Sequence, residues 1–144
     1  MTTTTCPTER SDTYSVSIAA PPQFAWTVLA NVEEWPRFSP FALAVTRTSP
    51  TTYAVTSPQG DVVLTSNFDE HRQLLDHTVT LDGQPEVFIP YRVTPNHLGS
   101  ELIMTNIKSP GDSVDEYEEQ LAWMRAELEG ARTYVEACYA RQRG

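Results

Sequence analysis

Apolar residues recur at alternating spacings of three and four through the last third of the chain, and this pattern constrains the fold more than any other feature. These residues form an apolar stripe made of Val114, Tyr117, Leu121, Met124, Leu128, Ala131, Val135 and Cys138. Such spacings place side chains on one face of an α-helix, so the stripe predicts a helix of about seven turns. Ser113 followed by Glu116 is typical of a capping box, which predicts that the helix starts close to Ser113.

The other faces of this helix are strongly acidic. Two arginines, Arg125 and Arg132, stand against eight acidic residues, namely Asp112, Asp115, Glu116, Glu118, Glu119, Glu127, Glu129 and Glu136. Unpaired charge is rarely buried in proteins, so we expect this acidic run to form a solvated surface. The apolar stripe must then pack against another apolar surface of the same domain.

Size and charge restrict the class of protein. The chain has 144 residues, which suits one domain, and its 10 Lys and Arg against 19 Asp and Glu give a net charge of −9. This charge repels nucleic-acid phosphates and anionic lipid headgroups, so we expect neither nucleic acid nor a membrane as a partner. We expect a disordered tail at 1–11, one domain at 12–140 and a short C-terminal tail at 141–144.

Location follows from what the sequence lacks. No apolar run approaches the roughly 18 residues that span a bilayer. The first eleven residues have neither the basic start nor the apolar stretch of a secretory signal. We therefore expect a cytoplasmic protein.

The middle of the chain is predicted to be β-sheet. Residues 14–19 alternate between apolar and polar, as a half-buried strand does, and six further strands are predicted at 43–49, 51–57, 61–69, 73–81, 87–94 and 100–106. Short turn signals between these strands favour an antiparallel meander. Pro90 lies inside one strand and cannot donate to a ladder, so we expect a bulge or an unpaired edge there.

Two short helical elements are predicted between the first and second strands. Pro21 and Pro22 suit the first turn of a helix that ends near Asn31. The following segment, 33–41, is too rich in proline for a long helix and too aromatic for a solvated loop, so it is predicted to be a helical turn with buried rings. Because the sheet is the one large surface available to the apolar stripe, we expect the sheet to curl around the long helix and leave a cavity for a small molecule.

Four stretches, together with this order of elements, resemble a known family. They are YSVSIAAPPQFAWTVLANVEEWPRFSPF (14–41), LLDHTVTLDG (74–83), PYRVTPNHLGSELIMTN (90–106) and SPGDSVDEYEEQLAWMRAEL (109–128). They are similar to the START-like or SRPBCC superfamily, and within it to the polyketide cyclase/dehydrase branch. The resemblance implies an α+β helix-grip fold, in which a seven-stranded antiparallel curved sheet wraps around a long C-terminal helix, with two short helices after strand 1.

The resemblance also implies a function. A member of this branch would be a cofactor-independent, cyclase- or dehydratase-like enzyme of natural-product biosynthesis that binds a hydrophobic, oxygenated intermediate. The superfamily hosts other activities, so two alternatives stay open. One is a non-catalytic carrier for a lipid, quinone or other apolar ligand. The other is a protein-interaction module similar to the chaperone activators, which would have a filled interior and an exposed apolar patch.

His77 and Tyr91 are the candidate catalytic residues. Alternation along 73–81 turns His77 toward the core with its aliphatic neighbours, whereas Asp76 points the opposite way. The same alternation turns Tyr91 inward on the adjacent strand, so we expect the imidazole and the phenol to approach each other and exchange protons with a substrate. The alternative is that both are core polar groups with hydrogen-bond partners.

Aromatic and apolar side chains would supply the contacts with the ligand. The candidates are Trp35, Phe38, Phe41, Tyr53, Ser66, Phe68, Met104, Tyr117, Leu121, Met124 and Leu128. Residues of these types equally serve as core packing. Trp123 lies off the centre of the apolar stripe, so whether it reaches the cavity stays open.

The remaining expectations concern cofactors and partners. The sequence has no Gly-rich phosphate loop, no G-x-S-x-G elbow and no zinc-binding motif, so we expect neither a cofactor nor a metal. The expected partner is a small hydrophobic ligand or polyketide intermediate, and the protein is expected to be a monomer or a homodimer. Because carrier proteins are typically acidic, a chain of net charge −9 is expected to take a free substrate.

Overall fold

The computed structural model describes residues 5–143, and its elements follow the predicted order. They are β1 (Ser11–Ile18), α1 (Pro22–Leu29), a 3₁₀-helix (Val32–Arg37), β2 (Ala44–Arg47), β3 (Thr52–Ser57), β4 (Gly60–Ser66), β5 (His77–Leu81), β6 (Val87–Ile89), β7 (Tyr91–Asn96), β8 (Gly99–Ile107) and α2 (Val114–Arg143). The α+β helix-grip fold is confirmed, with antiparallel strands and a long C-terminal helix. No helix among the described residues is both long and apolar enough to cross a membrane.

The strands form two antiparallel sheets instead of one continuous sheet. One has the order β2-β3-β4-β5-β6, and the other has the order β1-β8-β7. The division falls at Pro90, which separates β6 from β7, so the predicted strand at 87–94 is two strands in different sheets. The expected irregularity at this proline is therefore confirmed, and residues 5–143 contain eight strands where seven were predicted.

Hydrogen bonds join the segment just before β5 to the start of β7, next to this break. The backbone N–H of Leu75 donates to the Tyr91 carbonyl at 2.7 Å. The backbone N–H of Tyr91 donates to the Asp76 carboxylate at 2.8 Å. The Asp76 side chain thus replaces a ladder partner that the interrupted strand lacks, and its carboxylate is buried for that reason.

Two predicted strands are shorter than expected because a tight turn lies between them. β4 ends at Ser66 and β5 begins only at His77. Between them, the Asp69 carboxylate accepts the backbone N–H of Arg72 at 3.1 Å. Gln73 takes a positive φ of 59°, which ends extended structure locally.

The helix α2 begins with the predicted capping box. The Ser113 N–H donates to the Glu116 carboxylate at 2.8 Å, and the Glu116 N–H donates to the Ser113 hydroxyl at 3.1 Å. The helix packs along β1, β8 and α1. The buried residues of its apolar stripe are Tyr117, Leu121, Met124, Leu128, Ala131 and Val135.

Two residues of α2 depart from their predicted environments. Val114 was expected in the apolar stripe but is 63% exposed. One turn later, the Tyr117 hydroxyl already donates to the Asp12 carboxylate and the Asn106 carbonyl at the ends of β1 and β8, so Val114 lies beyond the strands.

Glu127 was expected on the solvated acidic surface but is only 8% exposed. It follows Met124 by three residues and precedes Ala131 by four, which places it at the edge of the stripe.

The second half of α2 makes a close backbone contact with the segment after the 3₁₀-helix. A Cβ atom at Gly130 would lie 2.5 Å from the Phe38 carbonyl oxygen, so only glycine permits this approach. One turn further on, the Tyr134 ring stacks on the Phe38 ring with their centroids 5.4 Å apart. These contacts fix the helix to the 3₁₀ region.

Candidate functional site

A cavity of about 710 Å³ lies between the five-stranded sheet and the first half of α2. Strands β3 to β6 and β8 line it on the sheet side, and Glu116, Gln120, Trp123, Met124 and Glu127 line it on the helix side. The buried residues Trp35, His77 and Glu127 mark its inner end, and the loops at 82–86 and 108–112 mark its mouth. A volume of this size accommodates a typical small organic ligand.

Aliphatic side chains and methionines form the cavity walls. They include Val55, Val62, Leu64, Val79, Met104 and Met124. Val62 and Leu64 belong to one strand and alternate with residues that point outward, as the period of two requires. The methionines add side chains that adapt to irregular shapes.

Three rings meet edge to face at the inner end. The centroid of the Trp35 ring lies 5.3 Å from that of His77 and 6.2 Å from that of Tyr91. The centroids of His77 and Tyr91 are 6.0 Å apart, so the two candidate catalytic residues do approach each other. Trp35 and His77 line the cavity, whereas Tyr91 does not.

His77 is held as a neutral base. Its Nδ1 lies 2.9 Å from the Leu75 carbonyl oxygen, which can only accept, so Nδ1 carries the proton and Nε2 is left as an acceptor. Burial lowers the pKa of His77 to about 4, although the Leu75 hydrogen bond and the Asp76 charge act in the opposite direction. The ring is therefore uncharged at neutral pH.

Tyr91 is a buried phenol whose hydroxyl has no hydrogen-bond partner among the described residues. Burial raises the pKa of Tyr91 well above 10, and the nearby Glu127 charge raises it further. The hydroxyl therefore keeps its proton at neutral pH. An unpaired polar group in the interior costs stability, which makes this residue unusual.

Glu127 is a functional candidate that sequence reasoning missed. Its carboxyl accepts a hydrogen bond from the Ser39 hydroxyl at 2.5 Å. The Ser39 oxygen in turn accepts the backbone N–H groups of Phe41 and Ala42, so its own hydrogen is directed at Glu127. Burial raises the pKa of Glu127, and the Ser39 hydrogen bond partly offsets that effect. Its helical spacing from Met124 and Ala131 is the signal that could have revealed it.

The predicted ligand contacts divide into two groups. Trp35, Phe41, Met104 and Met124 line the cavity, and so does Trp123, whose ring centroid lies 6.1 Å from that of Phe41. The other predicted contacts lie outside the lining and are Phe38, Tyr53, Ser66, Phe68, Tyr117, Leu121 and Leu128. Of these, Tyr117 donates its hydroxyl to Asp12, and Ser66 donates to the Thr51 carbonyl.

The mouth is lined by polar side chains that the sequence analysis did not select. They are Gln59, Gln84, Asn106, Asp112, Glu116 and Gln120. They come from five separate loops and elements, and only Asp112, Glu116 and Gln120 share a regular spacing, of four residues. Only the curvature of the sheet brings them to one edge of the cavity.

A family model described as "Polyketide cyclase / dehydrase and lipid transport" matches residues 18–89, which is 72 of the 144 residues. The chain belongs to this family. The matched region of this polyketide cyclase family protein contains Trp35, Phe41 and His77, and therefore part of the cavity lining. None of the curated proteins matches the chain significantly.

Solved structures place the fold of this family member among START-like proteins. A START superfamily protein from Mycobacterium smegmatis has a TM-score of 0.65 at 14% identity, covering 87% of this chain and 98% of that chain. The ZhuI aromatase/cyclase from Streptomyces sp. R1128 has a TM-score of 0.64 at 19% identity, covering 88% of this chain and 93% of that chain. The two-domain aromatase/cyclase BexL has a TM-score of 0.71 at 16% identity, covering 88% of this chain and 46% of that one.

Proposed function

We propose that this polyketide cyclase family protein binds a hydrophobic, oxygenated intermediate of natural-product biosynthesis and promotes its ring closure or dehydration without a cofactor. One observation carries the proposal. A neutral imidazole, His77, lines the cavity and has its Nδ1 engaged by Leu75, which leaves Nε2 to accept a proton. The aromatase/cyclase names of two structures with this fold support the same reaction class.

The chemistry needs little beyond confinement and proton transfer. In a chain of carbonyl groups, His77 Nε2 would remove a proton from a carbon between two carbonyls, and the resulting carbanion would attack a carbonyl carbon of the same chain. The new alkoxide takes up a proton, and later loss of water gives the dehydrated ring. Holding the chain folded can contribute several kcal/mol to lowering the barrier, by the usual effect of pre-orientation. Tyr91 does not line the cavity, so a proton-transfer role is proposed for it only through the neighbouring His77, whose ring centroid lies 6.0 Å away.

A non-catalytic carrier of a lipid, quinone or pigment is the second candidate. The aliphatic and methionine walls of the cavity favour it, since they bind apolar ligands without reacting with them. A protein-interaction module similar to the chaperone activators is less well supported. Such a module is expected to have a filled interior, whereas this structure has a cavity of about 710 Å³.

The experiment compares product formation from a short synthetic poly-β-ketone with and without the protein. We expect the protein to accelerate cyclisation and His77→Ala to lose about 100-fold of that acceleration. His71→Ala and His97→Ala are matched controls, because both histidines are exposed and lie outside the cavity. Equal rates with wild type and His77→Ala would refute the role of His77. Recovery of bound but unchanged ligand would favour the carrier.

Delivery of the substrate is a separate part of the proposal. The net charge of −9 disfavours docking of an acidic carrier protein, so the substrate is proposed to arrive free. Turnover of the free ketone should exceed turnover of the same chain tethered to a carrier protein. Faster turnover of the tethered chain would contradict this part alone.

A further inference from the structure

The charges around the cavity are all of one sign. Its lining includes three carboxyl groups, those of Asp112, Glu116 and Glu127, and among the described lining residues none is a lysine or an arginine. The one other titratable side chain in the lining is His77, whose pKa of about 4 leaves it uncharged at neutral pH. A ligand in this cavity therefore meets carboxyl groups and no cationic side chain among the described lining residues.

Hydrogen bonds keep the two carboxylates at the mouth in place. Asp112 accepts the Gln120 side-chain amide at 2.9 Å, and Glu116 accepts the Ser113 N–H at 2.8 Å. The Ser113 hydrogen bonds and the charge of Lys108 lower the pKa of Glu116 below its usual value. Glu116 is therefore ionised at neutral pH, directly at the opening through which a ligand passes.

Two cations outside the lining, Lys108 and Arg10, are engaged with other carboxylates. The Lys108 ammonium lies 3.4 Å from the Glu9 carboxylate. Arg10 bridges Asp12 at 3.0 Å and Glu118 at 2.8 Å. Neither Lys108 nor Arg10 lines the cavity, so an anionic group inside it would have no charged partner.

The inner end offers hydrogen bonds instead of charge. His77 presents its Nε2 acceptor, and Glu127 presents a carboxyl that already accepts from Ser39. Both groups accept hydrogen bonds, so they match hydroxyl groups of a ligand. A charged amine would have to lose its hydration among the aliphatic walls, which is costly.

We propose that the cavity takes an uncharged ligand with hydroxyl groups, as in the enol form of a β-ketone, and excludes carboxylate, phosphate and sulfonate groups. The inference rests on the proposed function, in that it assumes that this cavity is the binding site, and it narrows the substrate class to neutral molecules. It does not depend on whether the bound molecule reacts.

Two fluorescent probes of the same shape test the inference. N-phenyl-1-naphthylamine is uncharged, and 8-anilino-1-naphthalenesulfonate is the same ring system with one sulfonate. Trp35 and Trp123 line the cavity, so quenching of tryptophan fluorescence reports binding of each probe. We expect the neutral probe to bind about tenfold more tightly than the sulfonate at low salt, with the ratio falling as salt is added.

Matched double variants assign the effect to the mouth. Asp112→Asn with Glu116→Gln keeps the oxygen acceptors of both side chains and removes two charges, and we expect it to reduce the ratio of affinities about fivefold. Asp115→Asn with Glu119→Gln makes the same change of net charge on exposed residues outside the cavity and should leave the ratio nearly unchanged.

The outcomes separate this inference from the proposed function. Equal or tighter binding of the sulfonate would overturn the inference and leave cyclisation of the ketone unaffected. Equal effects of the two double variants would also overturn it, because the discrimination would then come from overall charge. Failure of both probes to quench tryptophan fluorescence would refute the cavity as a binding site, and with it both proposals.

Discussion

The Ser39 hydroxyl lies 2.5 Å from the Glu127 carboxyl oxygen, and this hydrogen bond joins residues 88 positions apart. It connects α2 to the segment that follows the 3₁₀-helix, at the inner end of the cavity. Because two backbone N–H groups already donate to Ser39, the orientation of its hydroxyl is fixed. The buried carboxyl is thus held by a donor that cannot turn away.

Ser39→Ala should lower the free energy of unfolding by about 1–3 kcal/mol, because Glu127 would lose its donor inside the protein. Urea denaturation at pH 7 measures the change. In a Glu127→Ala background, the same substitution should cost clearly less, since the acceptor is gone. Equal costs in both backgrounds would show that the hydrogen bond contributes nothing to stability.

Glu127 should make the protein less stable as the pH rises. Its folded pKa is raised above the value of the unfolded chain, so its contribution is complete below about pH 4.5 and is lost as the pH rises through the folded pKa. Glu127→Gln removes this titration. The stability of the variant relative to wild type should therefore increase from pH 4 toward neutral pH in parallel denaturation curves. A constant difference across this range would contradict the prediction.

His77 should make the protein less stable as the pH falls, which is the opposite of the effect of Glu127. Its pKa falls from 6.5 to about 4 on folding, so its contribution is present above pH 6.5 and is lost as the pH falls toward 4. The loss corresponds to about 3 kcal/mol. As the pH falls from 6.5 toward 4, wild type should therefore lose stability relative to His77→Gln. His71→Gln, which keeps His77, should lose as much stability as wild type. A ring that NMR shows to be protonated at pH 6 would refute the prediction.

Tyr91→Phe should leave the protein equally stable or stabilise it by about 1 kcal/mol, since the hydroxyl that it removes is buried and has no hydrogen-bond partner within residues 5–143. Denaturation at pH 7 measures this effect. If Tyr91 transfers a proton, the same variant should lower turnover of the poly-β-ketone. A large loss of stability would show instead that the hydroxyl is hydrogen-bonded in the folded protein.

The elements marked by a periodic pattern of apolar residues, or by a proline that interrupts such a pattern, could be predicted from the sequence. The spacing of Tyr117, Leu121 and Met124 is sufficient to identify α2, because a helix buries one face at a fixed period. Pro90 marked the interruption of its strand, because proline cannot donate to a ladder. The division of the strands into two sheets could not be predicted, because it involves a replacement acceptor, the Asp76 carboxylate, from the segment before β5.

The candidate site was only partly predictable for a related reason. Alternation placed His77 inside, and the structure confirms its burial. The acidic run of α2 predicts that Glu127 is exposed to solvent. In the structure its carboxyl is buried and hydrogen-bonded to Ser39, which lies 88 positions away in the sequence. The mouth residues Gln84 and Asp112 come from different loops, so only the folded chain brings them together.

The contact between Gly130 and Phe38 divides α2 into two parts with different tasks. The residues of α2 that line the cavity all precede it, between Glu116 and Glu127, whereas Gly130 and Tyr134 hold the helix to the 3₁₀ region. The lining of the cavity and this attachment of the helix are therefore encoded in successive stretches of α2. Replacing lining residues in the first stretch should reshape the cavity without loosening the close approach at Gly130.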